Sequence, residues 1–165
     1  MSRTVLGVLM LDTSFPRPVG DIGNPASFDH PVIYRKLPDA IVSRVVTNSA
    51  LPDDLVELII AEAKALQSEG ATIITTSCGF LSPLQQQIQT TVSVPVITSA
   101  LWMLPVLRAQ VGQEATIGIV TFDASRLSPH HVPDTGPLAV EGLQPDDHLY
   151  QVISRDLPDL DIKAA

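Results

Sequence analysis

The sequence predicts an α/β fold built on a mostly parallel sheet, because two kinds of segment alternate along it. Short apolar runs rich in β-branched residues are typical of strands buried on both faces, and they occupy residues 4–11, 71–76 and 94–98. Longer segments with helical spacing of apolar residues follow them, at residues 52–69, 82–92 and 99–111. Strands that alternate with helices are joined by crossover connections, which favour parallel pairing.

The clearest single element is the helix predicted over residues 52–69. Pro52 and two aspartates mark its first turn, and Gly70 ends it. Its apolar side chains recur at helical spacing and predict a buried stripe of Leu55, Ile59, Ala63 and Leu66. Before this helix, residues 12–30 form a long loop rich in proline and glycine, and residues 31–36 are a second strand. Loops of this length in compact domains are often functional.

A second βα series begins after Gly112. Residues 115–121 repeat the apolar, glycine-containing character of the first strand and also lead into a polar turn. A short strand near residues 138–141 and a weak helix near 146–154 follow. We therefore expect two related lobes, a first α/β lobe over residues 1–112 and the start of a second, truncated lobe over residues 113–165.

Composition excludes several classes of partner. The chain has 165 residues, a net charge of −8 and 4% aromatic residues, with no basic run, so neither nucleic acid nor an anionic membrane surface is an expected partner. No stretch approaches the roughly 18 apolar residues that a membrane span needs. The N-terminus lacks the features of a signal peptide and there is one cysteine, so a cytoplasmic location is expected.

No cofactor or metal signature is present in the sequence. The glycines at 20 and 23 do not form a dinucleotide-binding motif after a strand, and there is no P-loop. The neighbouring histidines His130 and His131 would point in opposite directions on an extended segment, and His30 and His148 are scattered. We therefore expect no metal site and no cofactor.

Cys78 stands at the junction between a predicted strand and a predicted helix. Ser82, Pro83 and Gln85 have the spacing of a capped helix start, with Ser82 as N-cap. The thiol would then lie beyond the carboxyl end of a strand and near a helix N-terminus, which is where open α/β sheets bind ligands and where a thiolate is favoured. We expect a thiol pKa below the roughly 8.5 of free cysteine. The alternative is a small buried hydrophobic residue without a chemical role.

Asp12 and Thr13 follow the first strand and share the predicted sheet edge with Cys78. A carboxylate and a hydroxyl there could orient a substrate or hold a base. Both residue types also start turns, and that simpler role is the alternative.

Two segments, residues 75–80 (Thr-Thr-Ser-Cys-Gly-Phe) and 15–24, resemble the aspartate/glutamate/hydantoin racemase superfamily. The resemblance implies two pseudo-symmetric α/β lobes, each with a parallel sheet in three layers, and cofactor-independent chemistry with one cysteine in each lobe. Cys78 matches the first-lobe cysteine, which would act as acid or base on a small carboxylate or amino acid. Asp12 and Thr13 match the acidic and hydroxyl residues after the first strand. Ser77, Gly79 and Phe80 would bind the substrate carboxylate, and a homodimer is one expectation for the assembly.

This chain departs from that pattern because it has no second cysteine. Racemisation by two bases needs groups on both faces of the substrate, so the 165-residue chain is not expected to racemise aspartate or glutamate by itself. The superfamily also includes decarboxylases with one cysteine, but theirs resembles the second-lobe position. Maleate-isomerase-like members, which use a first-lobe cysteine as a nucleophile, are one alternative. A catalytically inactive, small-acid-binding relative is another.

Overall fold

The computed structural model describes residues 4–134 and 136–163. Within this part of the chain the strands are β1 (Leu6–Met10), β2 (Val32–Lys36), β3 (Ile73–Thr76), β4 (Val96–Ile97), β5 (Ile117–Thr121) and β6 (Leu138–Gly142). The α-helices are α1 (Val42–Val45), α2 (Asp53–Ser68), α3 (Gln85–Gln89), α4 (Leu104–Val111) and α5 (His148–Arg155). Short 3₁₀ helices cover Pro25–Ser27, Gly79–Leu84, Ala100–Met103 and Pro129–His131.

The first sheet has four strands in the order β2-β1-β3-β4, and every pairing in it is parallel. In register, Leu6 of β1 lies opposite Val32 of β2 and Ile73 of β3. The predicted α/β fold with parallel strands is therefore confirmed, and the strands fall within the predicted runs. Parallel pairing brings the carboxyl ends of β1 and β3 to the same edge of the sheet.

All of β1 is buried, and different parts of the chain cover its two faces. Leu6, Val8 and Met10 pack against Phe28 and other residues from the long loop and the neighbouring strands. Leu9 belongs to the main core, to which α2 contributes its predicted stripe of Leu55, Ile59, Ala63 and Leu66. The predicted 52–69 helix is thus confirmed as Asp53–Ser68. Sheet and helix approach closely at Gly7, where an added Cβ would lie 2.9 Å from Ala71 Cβ and 3.2 Å from Leu66 Cδ1.

Glutamine side chains bind the backbone of the short strand β4. The Gln85 amide donates to the Val96 carbonyl at 2.6 Å, and its oxygen accepts from the Thr98 N–H at 2.8 Å. Gln89 accepts from the Val96 N–H at 2.9 Å and donates to the Val94 carbonyl at 3.0 Å. These side chains satisfy backbone groups at the end of the sheet that would otherwise lack partners.

The second sheet consists of β5 and β6, which pair in parallel from Ile117 opposite Leu138 to Thr121 opposite Gly142. Strands predicted at 115–121 and 138–141 are confirmed. Ile119 is buried, whereas Val120 is 90% exposed. The division of the chain into lobes at residues 1–112 and 113–165 stays a prediction.

A buried ion pair joins α4 to the segment that leads into β6. The side chains of Arg108 and Asp134 are 4% and 6% exposed, and Arg108 Nη2 lies 2.9 Å from Asp134 Oδ2. The same guanidinium donates to the carbonyls of Gly112, Ala115 and Pro137. Arg108 therefore connects α4 to the segments on both sides of β5.

Among the described residues, no helix is both long enough and apolar enough to cross a lipid bilayer. The cytoplasmic location and the homodimer stay predictions.

Candidate active site

The carboxyl ends of β1 and β3 are tied together by Ser77. The Ser77 N–H donates to the Leu9 carbonyl at 2.9 Å, and the Ser77 hydroxyl oxygen accepts from the Leu11 N–H at 3.1 Å. These two bonds continue the strand pairing one residue beyond β3. Cys78 follows directly and is held by the same edge of the sheet.

The Cys78 backbone is fixed by the buried hydroxyl of Thr76. Thr76 Oγ1 lies 3.3 Å from the Cys78 N–H, 2.9 Å from the Cys78 carbonyl and 2.7 Å from the Thr98 carbonyl. Cys78 itself is extended (φ −136°, ψ 118°), and the chain turns into a 3₁₀ helix at Gly79. The position of the thiol is thus set by the sheet and by one buried threonine.

The predicted capped helix start after Cys78 is wrong. The Ser82 hydroxyl donates to the His131 carbonyl at 2.7 Å instead of capping a helix, and Gln85 binds β4. The segment Gly79–Leu84 is 3₁₀, and the α-helix that follows covers only Gln85–Gln89. Both polar side chains bind partners that are distant in the sequence, and the local spacing of residues does not reveal such partners.

A cavity of about 720 Å³ opens at this edge of the sheet and is lined by Cys78. The loop after β1 contributes Thr13, Phe15 and Arg17 to its wall. Residues 117–122, from β5 and just beyond it, contribute to the wall as well. The lining is mostly apolar with a few polar groups, which is the usual composition of small-molecule sites.

Five of the six predicted site residues meet in this cavity, and they are Thr13, Ser77, Cys78, Gly79 and Phe80. Their roles toward a substrate stay predictions. Asp12 is not among the lining residues. Its carboxylate pairs with Lys36 Nζ at 2.9 Å and accepts from the Asp39 N–H at 3.2 Å. The hydrogen bond from Lys36 and then that from Asp39 lower the pKa of Asp12, so it is a charged partner of the loop before α1.

The expected low pKa of Cys78 is wrong as well. Burial raises the pKa of the thiol to about 11, although the Phe80 backbone N–H and the Arg17 charge act to lower it. Part of the residue remains exposed to solvent. The segment after Cys78 is 3₁₀ and the α-helix that follows has only five residues, so no long helix dipole stabilises a thiolate here. With this pKa, Cys78 is a neutral thiol near pH 7.

Gly79 and Phe80 shape the wall next to the thiol. A Cβ at Gly79 would lie 3.2 Å from the Ser99 hydroxyl, so the glycine lets the two segments approach. Phe80 is buried and packs edge-on against His131, with ring centroids 5.1 Å apart and planes at 75°. His131 thus supports the cavity wall, and among the described residues no cluster of His, Cys, Asp or Glu could hold a metal ion.

Sequence reasoning missed Arg17, which lines the cavity together with Asp21. Arg17 lies in the segment that carried the family resemblance, where it is the one basic residue of the proline- and glycine-rich stretch 12–24. A single arginine in a loop that follows a buried strand was the available signal. Its significance depends on where the loop folds, which spacing alone does not give.

The sequence resembles curated enzymes of one name. It is 32% identical over 127 residues to a dimethylsulfoniopropionate lyase of Durusdinium sp. clade D, a match that covers 76% of this chain and 42% of that protein. It is 32% identical over 124 residues to dimethylsulfoniopropionate lyase 7 of Emiliania huxleyi, covering 75% of this chain and 36% of that protein. The chain thus spans less than half the length of these relatives. No protein-family model matches the sequence.

Among solved structures, the fold resembles arylmalonate decarboxylase. The unliganded form of that enzyme matches with a TM-score of 0.52 at 15% identity, over 86% of this chain and 63% of that one. A second structure of arylmalonate decarboxylase matches with a TM-score of 0.52 at 18% identity, over 84% and 64% of the two chains. At this identity the likeness concerns the fold. This chain therefore has the α/β fold seen in arylmalonate decarboxylase, as the sequence predicts at the level of fold class.

Proposed function

We propose that this chain carries the proton-transfer site of a lyase of the dimethylsulfoniopropionate lyase type, with Cys78 as the residue that removes a proton from the substrate. The observation that carries the proposal is the position of Cys78, at the carboxyl end of β3 and in the wall of the 720 Å³ cavity. The names of the curated relatives supply the substrate class.

The reaction follows from the name of that substrate. Dimethylsulfoniopropionate has a carboxylate at C1 and a positively charged dimethylsulfonium group on C3. A base takes a proton from C2, and the C2–H electron pair forms the C2=C3 double bond. The C3–S bond breaks, and its electron pair leaves with sulfur. The products are dimethyl sulfide, acrylate and a protonated base, so one thiol is enough for the elimination.

The raised pKa of Cys78 favours a substrate that places a positive charge near the thiol. A thiol with a pKa of about 11 is a poor base near neutral pH until something stabilises the thiolate. A positive charge about 4 Å from the sulfur contributes about 4 kcal/mol at an effective dielectric constant of 20, which would return the pKa to about 8. A sulfonium group brings that charge. Aspartate and glutamate bring an ammonium group as well, but their second carboxylate leaves them with a net negative charge, which would raise the thiol pKa.

The walls of the cavity suit a small carboxylic acid. Thr13, Ser77 and Ser99 line the cavity together with many aliphatic side chains. Hydrogen bonds to the carboxylate that strengthen as charge develops on C2 would stabilise the transition state. Exclusion of water strengthens each of these interactions.

The sequence motifs resemble those of amino-acid racemases, but our proposal replaces racemisation by elimination. The relatives described above are named lyases and decarboxylases, and none of them is named a racemase. Elimination is also compatible with the single cysteine of this chain, because it needs a base on only one face of the substrate.

The experiment adds dimethylsulfoniopropionate to the chain in D₂O near pH 8. Nuclear magnetic resonance follows deuterium uptake at C2 and acrylate formation, and gas chromatography follows dimethyl sulfide. Cys78→Ser should lower these rates at least about a hundredfold, since a positioned base contributes about 10²–10⁴. Lys64→Gln, an exposed change on α2, is the matched control.

Several outcomes would contradict the proposal. If the wild type shows neither deuterium exchange at C2 nor acrylate formation, the proposed lyase activity is wrong. If activity survives in Cys78→Ser, the proposed role of the thiol is wrong. Interconversion of the enantiomers of aspartate would support the racemase instead. A stable mass adduct of maleate on Cys78 would support the isomerase reading, in which the thiol is a nucleophile.

A further inference from the structure

We propose that Arg17 binds the substrate carboxylate in the cavity that holds Cys78, a role that rests on the proposed function. Among the described residues that line the cavity, Arg17 carries the one positive charge. Its side chain is 14% exposed, so a carboxylate that met it would be largely shielded from water. Charge-assisted hydrogen bonds are strongest in such surroundings.

The guanidinium is held in place before any ligand arrives. Nη1 donates to Asp21 Oδ1 at 2.9 Å, and Nη2 donates to Thr13 Oγ1 at 2.9 Å. The Phe15 ring lies beneath it, with Cζ 4.4 Å from the ring centroid. The Asn24 side chain donates to the Arg17 carbonyl at 2.8 Å and fixes the backbone. A guanidinium held this way loses little further entropy on binding a carboxylate.

Arg17 also keeps donors in reserve. A guanidinium has five N–H groups, and the two bonds above use two of them. Within the described residues, no hydrogen bond of the other three is found. Asp21, its ion-pair partner, also accepts from the Gly23 N–H at 2.6 Å, so the carboxylate is shared with the loop backbone. Capacity therefore remains for a carboxylate ligand.

Gly23 leaves the space that the arginine side chain occupies. A Cβ at Gly23 would lie 2.4 Å from Arg17 Cδ and 2.7 Å from Met10 Cε. Gly23→Ala should therefore displace the guanidinium while keeping its charge. This offers a variant that separates the position of the charge from its presence.

A carboxylate on Arg17 lies in the same cavity as the thiol. The Arg17 charge acts on the thiol and lowers its pKa, which places the two groups within electrostatic reach. Arg17 is thus a substrate-binding residue that orients C2 of the acid toward Cys78. A role limited to holding the loop would also be consistent with its bonds to Thr13 and Asp21, and the experiment must separate the two.

The test measures alkylation of Cys78 at pH 9, where some thiolate is present, and needs no turnover. Propionate should protect the wild-type thiol from iodoacetamide, and uncharged propionamide should not. In Arg17→Gln the propionate concentration needed for protection should rise about tenfold or more, as expected for loss of a charge-assisted hydrogen bond. Lys64→Gln removes a positive charge from an exposed position on α2 and should leave protection unchanged. Gly23→Ala should weaken protection as well.

A second ratio separates charge from loop structure. The measured ratio is the rate of Cys78 alkylation by iodoacetate, an anion, divided by the rate with uncharged iodoacetamide. The Arg17 charge should raise this ratio in the wild type, and Arg17→Gln should lower it about tenfold or more. A loop that merely opens in Arg17→Gln would speed both reagents equally and leave the ratio unchanged, which would overturn the proposal. Equal propionate protection in wild type and Arg17→Gln would overturn it too. Arginine-dependent protection without any lyase activity would contradict the proposed function alone.

Discussion

The two sheets of this protein are stabilised differently. In the first sheet every residue of β1 is buried, between α2 on one face and the long loop on the other. In the second sheet Ile119 of β5 is buried, Val120 is 90% exposed, and the nearby stabilising feature is the Arg108–Asp134 ion pair. Cys78 thus follows a strand of the well-packed first sheet, while a sheet with less apolar cover contributes residues 117–121 to the wall of the same cavity.

This difference shows how one cavity can combine a fixed reactive group with a more deformable wall. Few buried apolar contacts and an exposed face are features of segments that open at low free-energy cost. We therefore expect β5 and β6 to exchange amide hydrogens sooner than β1 and β3.

The largest expected effect is on the alkylation rate of two thiols, one just beyond the first sheet and one in the second sheet. Cys78 is compared with a thiol introduced by Val120→Cys in a Cys78→Ser background. Cys78, with a pKa of about 11, should react with iodoacetamide at pH 7 about 300-fold more slowly than an exposed thiol of ordinary pKa near 8.5.

The pH profile of Cys78 alkylation, read by mass spectrometry, should still rise at pH 10. The raised pKa also has a consequence for stability. The folded chain keeps a proton that the unfolded chain loses above its ordinary pKa, so this contribution is complete below about pH 8.5 and is lost as pH rises through about 11. A plateau of the alkylation rate by pH 9 would show that burial does not control the thiol.

The second effect concerns the buried ion pair beside the second sheet. Asp134→Ala leaves Arg108 buried without its charged partner and should cost about 3–5 kcal/mol of unfolding free energy. Urea denaturation followed by circular dichroism measures the loss. The exposed substitution Glu57→Ala on α2 is the control. A loss below about 1 kcal/mol would mean that the pair is not what stabilises this region.

The third effect compares equivalent apolar truncations in the two sheets. Leu9→Ala in β1 removes a fully buried side chain and should cost about 2–5 kcal/mol. Val120→Ala in β5 should change stability by about 0.5 kcal/mol or less, because its side chain is exposed. Urea denaturation of both variants gives the comparison. Similar losses at the two sites would contradict the contrast between the sheets.

The smallest effect concerns the contact between Asp156 and the loop after β1. Asp156 accepts from the Ser14 N–H at 2.6 Å, the Ser14 hydroxyl at 2.7 Å and the Phe15 N–H at 2.7 Å. Asp156→Asn keeps a residue that tolerates the left-handed backbone found there (φ 52°) and should cost about 1 kcal/mol. Hydrogen exchange of residues 13–17 should become faster.

Acid should release the same contact. Burial acts to raise the pKa of Asp156, but the hydrogen bonds from Ser14 and Phe15 lower it overall. The contact is therefore complete above the ordinary aspartate pKa of about 3.9 and is lost as pH falls through the lower folded value. Loop protection that is unchanged down to pH 2 would contradict this assignment.

Much of the fold could be predicted because burial leaves a local trace. β1 is buried along its whole length, as its apolar run predicts, whereas in β3 buried residues alternate with partly exposed ones, so burial on both faces was wrong for that strand. The stripe of α2 is visible for the same reason, since four buried residues recur at helical spacing. The meeting of Thr13 and Cys78 followed from parallel pairing alone.

Predictions from local spacing were wrong where a polar side chain binds a partner that is distant along the chain. Ser82 binds the carbonyl of His131, 49 residues away, and Gln85 binds β4, so neither caps a helix. Asp12 turns to Lys36 instead of the cavity. The pKa of Cys78 depends on how completely several separate segments enclose the thiol, and no local pattern encodes that.

The contact between Asp156 and the Ser14–Phe15 backbone also orders events in time. Its partners are 142 and 141 residues apart along the chain. A ribosome makes the first sheet long before it reaches Asp156, so the nascent chain can build the support for Cys78 while Ser14 and Phe15 still lack this contact. Closing so long a loop has an entropic cost that is met only when α5 docks. The part of the cavity wall next to Ser14 and Phe15 is therefore among the last parts of the chain to be fixed, and in folding intermediates it should exchange amide hydrogens faster than the segment around Cys78.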